Sequence, residues 1–167
     1  MAALSELSNV RERHSEEVDL RHVRQRKVCD CVIATAAVIA NVSYDRAAAF
    51  SPVVPGLRGL RLTESKNFFE TVTGISWNSP KLHWFTRLSS VVSANASFVA
   101  VVRPTLLTLN YHCVYVQDRM VFDPELSRPF PIDRYTMRDW WIGFSMTAKA
   151  PLRLLAIQKF HSDAIGM

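Results

Sequence analysis

Ten consecutive residues, Cys31-Val-Ile-Ala-Thr-Ala-Ala-Val-Ile-Ala40, are apolar except for one threonine. A helix built from them is apolar on nearly every face, so the rest of the chain must cover it from several sides. Asp30 immediately before the run is a favoured N-cap residue, which predicts a buried central helix starting at Cys31, and Asn41 interrupts the pattern. The run is well short of the roughly 20 residues that span a bilayer, so no membrane span is expected. With 167 residues there is room for one domain around such a helix. A content of 49% hydrophobic and 21% charged residues excludes a disordered chain, a collagen-like repeat and a charged coiled coil.

The pattern before and after the run is uneven. Residues 1–22 mix Arg11, Arg13 and Arg21 with Glu12, Glu16, Glu17 and Asp19, and read as a partly helical or flexible arm, leaving 23–167 as the folded domain. A Pro/Gly-rich connection, Ser51 to Gly59, leads to a second expected helix from Thr63 as N-cap to Thr73, with Gly74 as its stop. Ser79-Pro80 predicts a third helix running through Leu82, Phe85 and Leu88. Beyond Ala94 the sequence reads as strands at Ser97 to Arg103, Leu109 to Gln117, Arg119 to Phe122 and Leu152 to Phe160, with a short helix or irregular cover over Asp133 to Trp141. Helices first and strands afterwards predict an α+β domain, a helical half packed on an antiparallel sheet.

Three cysteines cannot all pair, and Cys29 and Cys31 stand one residue apart, so the chain is read as belonging in a reducing compartment rather than as a disulfide framework. The Cys-x-Cys pair supplies at most two metal ligands, with no second cluster at zinc-finger spacing, so no metal or cofactor is expected. The chemistry of Cys31 depends on its position. Unpaired N–H groups and the dipole of a helix's first turn stabilise a thiolate there. Residues Tyr111 to Pro124 then read as two alternating runs around a Gln117-Asp118 turn, a hairpin that pairs Val116 with Arg119, Val114 with Val121, and His112 with Asp123. An imidazole and a carboxylate on one face suit a base and its orienting partner. His14, His22, His83 and His161 have no such surroundings in sequence and receive no role. Trp140, Trp141, Phe130 and Tyr135 read as core rather than as a substrate groove.

This order of residues resembles the papain-like cysteine peptidases, and most closely the bacteriocin-processing peptidases that cut after double-glycine leaders. Gln25 precedes Cys31 by the family's interval, Asp30 stands before the nucleophile position, His112 begins one strand, and Asp123-Pro124 ends the next. The resemblance covers about residues 25 to 125 and implies a papain-like fold with the nucleophile at a helix N-terminus. It also implies Cys31 as nucleophile, His112 as general base and then acid, Asp123 as orienter, and Gln25 as an oxyanion donor through its side-chain amide. Val32 departs from the family's glycine after the cysteine, and the interval from His112 to Asp123 is short for it.

A thiol hydrolase of this kind would attack a peptide or isopeptide carbonyl through an acyl-enzyme, and the same triad serves deamidation or acyl transfer. A papain-like domain that binds a peptide or partner without catalysis is the alternative. Because Gly56, Gly59, Gly74, Gly143 and Gly166 are all isolated, self-processing at a double glycine is excluded and the peptide or protein substrate is expected in trans. The net charge of +5 comes from scattered arginines, mildly favouring acidic partners, and no nucleic-acid motif is present. The charged first thirty residues lack the apolar core of a secretory signal, so a cytoplasmic location is expected.

Overall fold

The computed structural model describes residues 22–92, 97–104 and 111–150. Within them the chain forms helices α1 (Cys31–Ala40), α2 (Tyr44–Ala48) and α3 (Leu62–Thr73), strand β1 (Lys81–Leu82), helix α4 (Leu88–Val91) and strands β2 (Ser97–Arg103), β3 (His112–Gln117), β4 (Met120–Phe122) and β5 (Phe130–Pro131). A single 3-10 turn at Ile132–Arg134 and strand β6 (Trp141–Met146) complete them. The six strands form one sheet in the order β1-β6-β2-β3-β4-β5, with every neighbouring pair antiparallel. This is an α+β arrangement, and among the described residues no helix is long and apolar enough to cross a membrane.

Helix α1 is the hub that its composition requires. Val32 to Val38 are all buried, and Ala34, Ala36 and Ala37 have no exposed surface, so their small side chains let neighbouring elements approach closely. Phe68, Phe69 and Val72 of α3 share one core cluster with α1 and with Val99, Val101, Cys113 and Tyr115 of the sheet. The alternate residues Ala100, Val102, Val114 and Val116 face a second cluster with Leu88, Ile132 and Tyr135. A sheet covered on both faces explains why β2 and β3 read as nearly unbroken apolar runs. Thr35 Oγ1 donates to the Cys113 carbonyl at 3.2 Å, a buried tie between α1 and β3. The helix ends where Asn41 turns left-handed, at φ 53°, and the Val42 N–H returns to the Ala37 carbonyl.

Four sequence expectations are corrected. The helix expected from Ser79 does not form: Lys81 and Leu82 pair with Ser145 and Phe144, and the His83 N–H donates to the Gly143 carbonyl. The outer edge of β6 offers this segment hydrogen-bond partners, and its apolar spacing has no face to bury, since Leu82 and Phe85 are 61% and 73% exposed. Helix α3 is capped at Arg61 rather than Thr63, because the Glu64 carboxylate turns back to accept the Arg61 N–H at 2.7 Å. The cover expected over Asp133 to Trp141 forms through residue 140 as a 3-10 turn and irregular chain, but Trp141 opens β6, a strand inside the sheet where no strand was expected. The hairpin turns one residue later than expected. Asp118 and Arg119 both adopt left-handed backbone, at φ 49° and 67°, and Val116 pairs with Val121 and Tyr115 with Phe122. A two-residue turn of this hand matches the twist of the flanking strands. The slip moves each partner by two residues, which leaves every side chain on its expected face. The strand expected at Leu152 to Phe160 and the arm up to residue 21 lie outside the described residues.

Candidate active site

The loop before α1 sets the position of Cys31. Asp30 occupies the N-cap position, but its fully buried carboxylate does not cap the helix. It accepts the Tyr44 hydroxyl from α2 and, at 2.7 Å, the Gly56 N–H from the connection before α3. Gly56 sits at φ +82°, a left-handed backbone that favours glycine. Asp30 thus ties three segments together directly behind Cys31, the half-buried first residue of α1.

His112 opens β3 and is buried, with 7% of its surface exposed. Its Nε2 lies 2.6 Å from Asp123 Oδ1, and the Cys31 side chain is near enough to help hold the imidazole protonated. Burial disfavours the imidazolium, yet the Asp123 carboxylate foremost, together with Cys31, outweighs it and pushes the His112 pKa up to about 10. Asp123 has no exposed surface. Its Oδ1 also accepts the Glu125 N–H at 2.8 Å, and its Oδ2 accepts the Tyr135 hydroxyl at 2.7 Å. Burial raises the carboxyl pKa, but these donors, His112 foremost, bring it below the ordinary value. Burial and the neighbouring carboxylate push the Tyr135 hydroxyl well up, so it remains a donor.

Gln25 is held beside this group. Its N–H donates to the Pro124 carbonyl at 2.9 Å, its amide Nε2 donates to Glu125 Oε1 at 3.3 Å, and its Oε1 is buried without a partner. The same Glu125 oxygen is 3.7 Å from His112 Nδ1. The amide expected to face an oxyanion is therefore turned to a carboxylate next to the imidazole. Upstream, His22 Nε2 lies 2.8 Å from the Leu126 carbonyl, so residues 22–25 run along the turn after Asp123.

The structure brings His112, Asp123 and Gln25 together around Glu125, with Cys31 near enough to His112 to affect its protonation. Tyr135 and Glu125 were missed by sequence reasoning. Tyr135 has no local signal, being twelve residues from Asp123, whereas Glu125 was readable as the second residue after Asp123 on the same turn. Cys29 is half-buried ahead of the helix, and Cys113 is buried on the α1 side of β3 with its thiol pKa pushed well up by desolvation. His83 lies 2.8 Å from Ser145 Oγ on β6, away from the Cys31 thiol. Among the described residues, no group of three or more His, Cys, Asp or Glu side chains is arranged to hold a metal ion. A histidine held protonated by a buried, triply hydrogen-bonded carboxylate, with a thiol nearby, is able to pair with a thiolate and to give its proton to a leaving group. The chain matches no protein-family model, and no curated protein is significantly similar to it.

Proposed function

We propose that this protein is a cysteine peptidase of papain-like fold. Cys31 attacks a peptide or isopeptide carbonyl, forms an acyl-enzyme and is released by water activated at His112. The reading is carried by His112, 2.6 Å from the buried Asp123 and with Cys31 near enough to raise its pKa. In the first step Cys31 attacks as the thiolate partner of His112, which its raised pKa keeps protonated, and the imidazolium then gives its proton to the leaving amine. In the second step the imidazole takes a proton from water, and the tetrahedral intermediate collapses to acid and free thiolate. Backbone N–H groups at the start of α1 and the Gln25 amide, once released from Glu125, serve as donors to the developing oxyanion. The order of Gln25, Cys31, His112 and Asp123 supports a relationship to the bacteriocin-processing peptidases, with the substrate in trans and a cytoplasmic setting. Deamidation or acyl transfer uses the same first step.

Iodoacetamide labelling followed by mass mapping tests the nucleophile: Cys31 should react at least ten times faster than Cys29 or Cys113. A pool of internally quenched peptides should be hydrolysed by the wild type and left intact by Cys31→Ala, with Cys29→Ala nearly unchanged. Equal labelling of Cys29 and Cys31, with no hydrolysis of any peptide, would overturn the reading.

A further inference from the structure

One residue from His112, the sheet carries a shelf of stacked aromatic rings and guanidinium groups. On β2, Arg103 is in phase with Val99 and Val101, which pack towards α1, and it pairs across the ladder with Trp141 of β6. Its guanidinium lies 5.9 Å from the centre of the Tyr111 ring. That ring in turn rests on β6, where a Cβ at Gly143 would lie 3.3 Å from Tyr111 Cε1. Beyond it, the Arg87 guanidinium covers the Trp141 ring at 4.4 Å, with Phe85 edge-on to the same ring. The shelf begins at the residue preceding His112, where β3 opens, and runs across β2 to β6.

Its charge is unanswered. Arg26, Arg58, Arg119 and Arg138 each engage a carboxylate. Arg87 and Arg103 pair with none among the described residues: Arg87 donates to the Asp139 carbonyl, and Arg103 Nε is buried without a partner. A guanidinium beside a ring face can still turn N–H groups to a carboxylate. It also covers the ring face on which a nucleobase would stack, which favours a carboxylate ligand over single-stranded nucleic acid. Three inter-strand steps from β3 to β1 span about 14 Å, roughly four residues of an extended chain.

We propose that the Arg103–Arg87 shelf is a substrate subsite for acidic side chains, so that the peptide carries Glu or Asp within about four residues of the bond attacked by Cys31. This rests on the peptidase reading above for its orientation relative to the bond. The test uses full-length Cys31→Ala protein and fluorescein-labelled peptides with a hexaglutamate, hexalysine or hexaserine block, together with a labelled ten-nucleotide oligothymidine, followed by anisotropy. Hexaglutamate should bind at least ten-fold more tightly than the others. The exposed Arg87→Gln change and the Arg103→Gln change should each weaken it at least five-fold, and Arg103→Lys should restore part of the loss. Equal affinity for hexaserine, undiminished binding in Arg87→Gln and Arg103→Gln, or preference for oligothymidine would overturn the subsite. Arginine-dependent hexaglutamate binding with no hydrolysis of any peptide by the wild type would uphold the subsite and remove the peptidase reading. Hydrolysis of acidic and neutral peptides with equal kcat/KM would do the reverse.

Discussion

Asp123 concentrates the demands of the site on one side chain. It is a buried carboxylate whose charge is balanced by three donors: His112 Nε2, the Glu125 N–H and the Tyr135 hydroxyl. Hydrogen bonds to a charged group are worth about 1.5–3 kcal/mol each, and an unpaired buried one costs the desolvation of its acceptor. Tyr135→Phe removes one donor without changing the packed volume. If the bond keeps Asp123 ionised and aimed at His112, its loss should lower kcat by about 10–100-fold while KM moves little. Steady-state kinetics alongside urea unfolding separates this from simple destabilisation: a loss of stability with kcat intact would make Tyr135 a purely structural residue. Asp30, the other buried carboxylate, shows that residue type alone does not assign the job. Its sequence position suits a helix cap, yet the Tyr44 hydroxyl and the Gly56 N–H take it instead.

The β3–β4 hairpin is the element on which the site's geometry depends, since it carries both His112 and the approach to Asp123. Its two turn residues are a left-handed aspartate and a left-handed arginine. The left-handed region costs a residue with a Cβ roughly 1–2 kcal/mol, and glycine at the second position is the preferred chemistry of this turn. Arg119 gains only an exposed ion pair with Asp133 in return, an interaction worth little in water. Arg119→Gly is therefore expected to stabilise the protein by about 0.5–1 kcal/mol, net of the greater freedom glycine has in the unfolded chain. Urea midpoints of the two proteins at constant m-value check this, and a fall in the midpoint would show that the ion pair outweighs the backbone strain.

For the molecule as a whole, the coupling of His112 and Asp123 predicts a pH dependence of folding. His112 titrates near 6.5 when unfolded and at about 10 when folded, so its contribution is complete below pH 6.5 and is lost as the pH rises towards 10. Asp123 is shifted the other way, so its contribution is present above its ordinary 3.8 and disappears as the pH falls through the lower folded value. Stability should therefore decline steadily from pH 6.5 to 9. Beyond 9 the buried Cys113 thiol, which ionises more readily unfolded, steepens the fall. Unfolding midpoints measured every half unit check the slope. His112→Asn should flatten the range from 6.5 to 9, and an unchanged slope there would show that the wild-type slope comes from other groups.

Much of this molecule is written locally. The apolar run of α1, the left-handed stop at Gly74, the apolar strand runs of β2 and β3 and the order Gln25, Cys31, His112, Asp123 were all legible, because helix burial, chain reversal and strand formation depend on a few neighbouring residues. Even the misplaced turn left His112 and Asp123 meeting, since a slip of two preserves the face. What only the tertiary structure decided is where several partners are equally available to a local pattern. Residues 79–88 satisfied a helix signal, but the free edge of β6 took their backbone groups. Tyr135 on Asp123, Glu125 on Gln25 and Arg103 over Tyr111 depend on distances through space that no spacing along the chain encodes. Hydrogen bonds and burial at such contacts outweigh the tenths of a kcal/mol by which one residue type prefers one local conformation.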